Sequence, residues 1–67
     1  MNILLSNYYM EIRGKPDLLF TLKESFQQMD IPIKITDTTK GMRIYASYHT
    51  LYELLLKLSF NYDIELT

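Results

Sequence analysis

The stretch Ile31-Pro32-Ile33-Lys34-Ile35-Thr36-Asp37-Thr38-Thr39-Lys40-Gly41-Met42-Arg43-Ile44-Tyr45-Ala46-Ser47 decides the fold. Ile31, Ile33 and Ile35 alternate with Pro32, Lys34 and Thr36, which predicts a β-branched strand with one apolar face. Pro32 has no N–H to donate, so it belongs at a strand start or on an edge. Asp37 to Gly41 is a turn signal of hairpin length. Met42, Ile44 and Ala46 then alternate with Arg43, Tyr45 and Ser47, which makes the returning strand.

On the N-terminal side of this hairpin the period becomes helical. Leu19, Leu22, Phe26 and Met29 recur at steps of three and four, with Lys23, Glu24, Gln27 and Gln28 on the other side. Pro16 suits the first helical position and Asp17 the positive helix start, so a helix over 17–29 is expected. Ile31-Pro32 ends it, because the residue before proline is pushed out of the α region. Further upstream, residues 3–13 read as one strand. Tyr8, Met10 and Ile12 share one face, and Tyr9, Glu11 and Arg13 the other. Ile3 and Leu5 have the opposite parity, which calls for burial on both faces or a bulge near Ser6-Asn7.

On the C-terminal side Thr50 and Glu53 have the spacing of a capping box before an apolar run. A helix is expected from Leu51 to about Phe60, with Asn61 as its stop. Tyr62, Ile64 and Leu66 then alternate with Asp63 and Glu65 in a short last strand. The order β-α-β-β-α-β is that of a ferredoxin-like two-layer sandwich: an α+β fold with a four-stranded antiparallel sheet and two helices on one face. Residues 1–67 read as a single domain. The runner-up is an open unit whose last segment is a tail or pairs with another chain.

Composition limits the chemistry. There is no cysteine, which excludes disulfides and thiolate metal sites, and one histidine, which excludes a multi-histidine cluster. Seven basic and eight acidic residues give a net charge of −1, a poor balance for a protein that coats itself in phosphates. No apolar run is long enough for a membrane span. Residues Met1 to Ser6 lack the basic start and long apolar stretch of a signal peptide. A cytoplasmic protein is therefore expected. Gly14 and Gly41 both fall at predicted turns, with no phosphate-loop spacing. His49 reads as a surface residue at a helix start. Glu11 with Asp63 or Glu65 would share the open sheet face, where mixed charges pairing across strands are the simpler reading. No enzyme activity, cofactor or metal is expected.

Two surfaces remain. The open sheet face would carry Tyr9 and Tyr45 on central strands, with Arg13, Lys34 and Arg43 around them. Aromatics in that place are how RNA-recognition-motif domains stack bases. The strand octapeptide of those domains, however, is met by Lys40 to Ser47 only at its first two positions. The second surface is on the second helix. Leu51, Leu54, Leu55 and Leu58 make a core stripe, while Tyr52, Leu56 and Phe60 make another, rotated away from it. Leu18 and Phe20, off the main stripe of the first helix, extend that patch in this reading, and Tyr48 joins it as a binding tyrosine. The expectation is a non-enzymatic protein-interaction module that self-associates as a homodimer or covers a partner protein. Small inhibitors encoded by phages or mobile elements have this make-up. Single-stranded RNA or DNA on the sheet face is the alternative.

Overall fold

The computed structural model describes residues Met1–Thr67. Seven elements follow in order: β1 (Asn2–Leu5), β2 (Tyr9–Arg13), α1 (Pro16–Gln28), β3 (Lys34–Asp37), β4 (Gly41–Tyr45), α2 (Tyr48–Asn61) and β5 (Glu65–Leu66). The five strands form one sheet in the order β3-β4-β2-β1-β5. The α+β class expected from the sequence holds. The four-stranded antiparallel sheet does not, because β1 and β5 pair in parallel while every other pair is antiparallel.

The difference arises in residues 3–13, which are two strands and not one. The chain reverses at Asn7-Tyr8, where the Ser6 N–H donates to the Tyr9 carbonyl at 2.9 Å. Ile3 then lies opposite Ile12, and Leu5 opposite Met10. In this register an odd residue of β1 faces an even residue of β2. The parity change between Leu5 and Met10 is therefore the signature of a hairpin rather than of a bulge. Tyr8, expected on the core face, sits in the turn and is 77% exposed. The turn carries no glycine or proline and no residue with positive φ, so the usual hairpin signals are missing. β1 inserts between β2 and the last strand. β5 keeps the direction it would have had beside β2, and β1 runs the same way.

One face of the sheet is covered. Ile3, Met10, Ile12, Met42 and Ile44 point into a cluster with Leu22 and Phe26 of α1 and Leu51, Leu54, Leu55 and Leu58 of α2. The predicted leucine stripe of α2 is thus its buried face. The helix begins a turn earlier than expected, however. Ser47 is the N-cap, and its hydroxyl accepts from the Thr50 N–H at 3.4 Å. Serine is as good a cap as any, and it frees residues 48–50 to join the helix. The Thr50–Glu53 box does not form: Thr50 Oγ1 accepts from the Ser47 hydroxyl, and Glu53 pairs with His49. β3 starts at Lys34, so Ile31 and Ile33 precede the strand and pack on the core margin. β5 shortens to Glu65–Leu66 and pairs within the chain, with Glu65 N–H donating to the Met1 carbonyl at 2.8 Å.

Gly41 opens β4 opposite Arg13 of β2. A side chain there would run into the carbonyl of Ile12, which is backbone and cannot yield. Gly14, in the link to α1, has open space apart from Leu18 Cδ2 at 3.8 Å. Gly41→Ala should therefore cost about 2–3 kcal/mol by forcing the two central strands apart. Gly14→Ala should leave stability unchanged or raise it by about 0.4–1 kcal/mol through the unfolded chain. Urea denaturation of both variants checks the contrast; equal midpoints would show that the β2–β4 approach is not a constraint.

Candidate functional site

The open sheet face is built on β2 and β4. Register places Tyr9 opposite Tyr45 and Glu11 opposite Arg43. The tyrosine rings lie 5.8 Å apart at 47°, within the range of a favourable aromatic pair. The Arg43 guanidinium sits 4.6 Å from the centroid of the Tyr9 ring. Its Nη1 also reaches the Tyr45 hydroxyl at 3.5 Å.

Glu11 is the centre of this face and the one buried charged residue of the protein, at 5% exposure. Leu4 of β1 flanks it on one side and Arg43 on the other. Arg13 donates to Oε2 from Nε at 2.9 Å and from Nη2 at 2.7 Å, while Arg43 Nε donates to Oε1 at 3.0 Å. Both carboxylate oxygens are thereby satisfied. The hydrogen bonds from Arg43 and then Arg13 hold the Glu11 carboxyl below the ordinary carboxylate range, against the opposing effect of burial. The cross-strand charge pairing expected from the sequence is present here, but Lys34 takes no part in it. Asp63 and Glu65 are not brought to Glu11, because β1 stands between β2 and β5.

This arrangement bears on stacking. Arg43 covers one face of the Tyr9 ring, and a base stacking on that face would have to displace it. A phosphate approaching Arg13 or Arg43 would meet arginines already bonded to a carboxylate. Tyr9, Arg13, Lys34, Arg43 and Tyr45 do share one face, as the sequence implies, but Arg13 and Arg43 are already bonded to Glu11, and Lys34 stands outside that network.

The second surface is the outer side of α2. Tyr48, Tyr52, Leu56 and Phe60 lie at successive steps of four and are all exposed, Phe60 at 85%. The rings of Tyr48 and Tyr52 stack with centroids 6.3 Å apart. The row is about 18 Å long at 1.5 Å rise per residue. Tyr48, expected in this patch, enters the row as the first residue of α2. Leu18 and Phe20 do not extend this row together. Two residues apart on a helix, they face nearly opposite ways. Leu18 packs on the core margin, while Phe20, 64% exposed, lines a cleft of about 390 Å³ with Lys23 and the β3–β4 turn. Lys23 donates to Asp37 there at 3.0 Å. A smaller groove of about 260 Å³ is lined by Phe26, Met29, Ile31, Ile33 and Ile35, beside the β3 edge.

His49 lies in the first turn of α2, with Nε2 3.0 Å from Glu53 Oε1. Both side chains are largely exposed and no nucleophile adjoins them in the hydrogen bonds of the helix. No three His, Asp or Glu side chains converge in a metal-binding geometry, and no helix is long and apolar enough to cross a membrane. Comparison of the chain with family models, curated proteins and solved structures returns no match.

Glu11 gives the protein a defined acid response. Its folded-state pKa lies below its unfolded value, so its contribution to stability is complete above the ordinary carboxylate pKa of 4.5 and is lost as pH falls through the lowered one. Glu11→Gln should cost about 1–2 kcal/mol at pH 7, since the arginines can turn to water but the buried site loses charged hydrogen bonds. The gap between wild type and variant should close on acidification. Denaturant titrations at neutral and acid pH measure it; a gap that persists at low pH would show that packing, not charge, is what the residue supplies.

Proposed function

We propose that the protein is a non-enzymatic interaction module that binds another protein through the exposed row Tyr48, Tyr52, Leu56 and Phe60 on α2. The row itself carries this reading. The core already holds four leucines of the same helix, so the second stripe adds nothing to it. Four large apolar side chains in an unbroken line leave a helix apolar around most of its circumference, and such a helix meets a partner. Contiguous apolar surface of this kind marks interfaces more often than scattered exposed residues do. Tyrosine is also favoured at binding hot spots, because it buries a large rigid ring and keeps one polar contact. The rings of Tyr48 and Tyr52 already lie against each other without a partner, an arrangement that favours binding to the extent that it is kept.

Small size, mixed charge and this surface suit a cytoplasmic inhibitor or adaptor of the kind encoded by phages and mobile elements. In this reading residues 9–66 follow the ferredoxin-like path, and β1 is an added strand. Single-stranded nucleic acid on Tyr9 and Tyr45 is the second reading. The Arg43 guanidinium over the Tyr9 ring and the Glu11 carboxylate beneath both arginines weigh against it.

Leu56→Glu and Phe60→Asp should leave stability within about 0.5 kcal/mol, as exposed substitutions do. Both should abolish recovery of the protein that co-purifies with the wild type from its native host. Tyr9→Ala and Tyr45→Ala should retain it. Binding that instead survives both helix variants, collapses with added salt and needs Tyr9 and Tyr45 would turn the assignment to nucleic acid.

A further inference from the structure

We infer that β3 is a self-pairing edge, through which two copies of this chain join their sheets in antiparallel fashion about a twofold axis at Ile35. β3 ends the sheet and pairs only with β4. The Thr38 N–H bonds the Gly41 carbonyl at 2.9 Å, and the same register carries the inward hydrogen bonds to Thr36 and Lys34. The backbone groups of Ile35 and Asp37 therefore point away from the sheet. Ile33 adds an outward carbonyl, while its N–H is spent on the carbonyl of Ile31 at 2.9 Å.

These groups determine the occupant. Free backbone donors and acceptors along an edge are matched by an extended strand. β3, with Ile33 just before it, is itself such a segment, and its free donors are matched by its own carbonyls. With Ile35 of each copy opposite the other, each Ile35 N–H meets an Ile35 carbonyl. Each Asp37 N–H meets the free carbonyl of Ile33 in the second copy. No free edge donor is left over; the Asp37 carbonyl, whose ladder partner would be the spent N–H of Ile33, is left to water. On the open face Lys34 comes opposite Thr36 rather than opposite another lysine. On the helix face the groove lined by Phe26, Met29, Ile31, Ile33 and Ile35 meets its own copy across the axis. The two grooves close on each other, and both pairs of helices lie on the same side of one continuous sheet.

This surface is separate from the α2 row, so the two can fail independently. Sedimentation and amide hydrogen exchange of the wild-type chain between about 10 μM and about 1 mM form the test. The expected result is concentration-dependent dimer formation, with the Ile35 and Asp37 amides slowed in step while the Thr36 amide, already bonded to β4, serves as reference. Ile35→Lys, which places like charges on the axis, should weaken association about tenfold or more. Leu56→Glu should leave it unchanged. A monomer throughout the range, or association that leaves the Ile35 and Asp37 amides unaltered, would overturn the inference. So would loss of the dimer in Leu56→Glu, which would place self-association on α2 instead.

Discussion

Burial of a carboxylate between two arginines fixes the centre of this sheet. β2 lies between β1 and β4, so its successive residues Met10, Glu11 and Ile12 are all removed from water. Two of them join the apolar core. The third is charged, and an unpaired charge there would be costly. Arg13, two residues along the same strand, and Arg43, opposite on β4, supply the matching donors. Only one register of β2 against β4 lets Arg43 reach Glu11, while Ile12 meets Met42 on the other face. Slipping that register by one residue would put the charges in the core and the isoleucines in solvent.

The same register brings Gly41 against Arg13 and sets the distance at which the hairpin of β3 and β4 closes on the first pair of strands. Tyr9 and Tyr45 follow from it as neighbours, and Arg43 comes to rest on the Tyr9 ring. The open face is thus polar in composition, with both of its arginines tied to one carboxylate. Apolar surface without an internal partner lies elsewhere, on the outer side of α2 and along the β3 margin.

Much of the fold was legible because period reports face. The leucines of α2, the isoleucines of the hairpin and the stripe of α1 all lie where their spacing put them. What was not legible was a reversal made without glycine or proline. No residue of the turn has a positive φ, so only the weak turn formers Ser6-Asn7 and the parity of Ile3 and Leu5 against Met10 marked it. The cap of α2 was hidden for a related reason. Ser47 and Thr50 are both competent caps, and the Thr50–Glu53 spacing favoured the wrong one. The candidate site was legible in part. Alternation alone placed Tyr9, Tyr45 and the arginines together, but that Arg43 covers Tyr9 depends on a side-chain direction that no pattern records. Leu18 and Phe20 share only their place off the main stripe, and their spacing alone sets them apart.

The pairing of β1 with β5 has a kinetic meaning. It ties residues 2 and 3 to residues 65 and 66, and the Thr67 hydroxyl approaches the Ile3 carbonyl at 3.5 Å across nearly the whole chain. The two hairpins close short loops and can form quickly, whereas this contact closes the longest loop the molecule has. Its few hydrogen bonds lie in an exposed two-residue strand, so it adds little to the stability of a folding nucleus. We expect it to assemble after the rate-limiting step and to be the first part to open, a latch set last on a sheet that is otherwise complete.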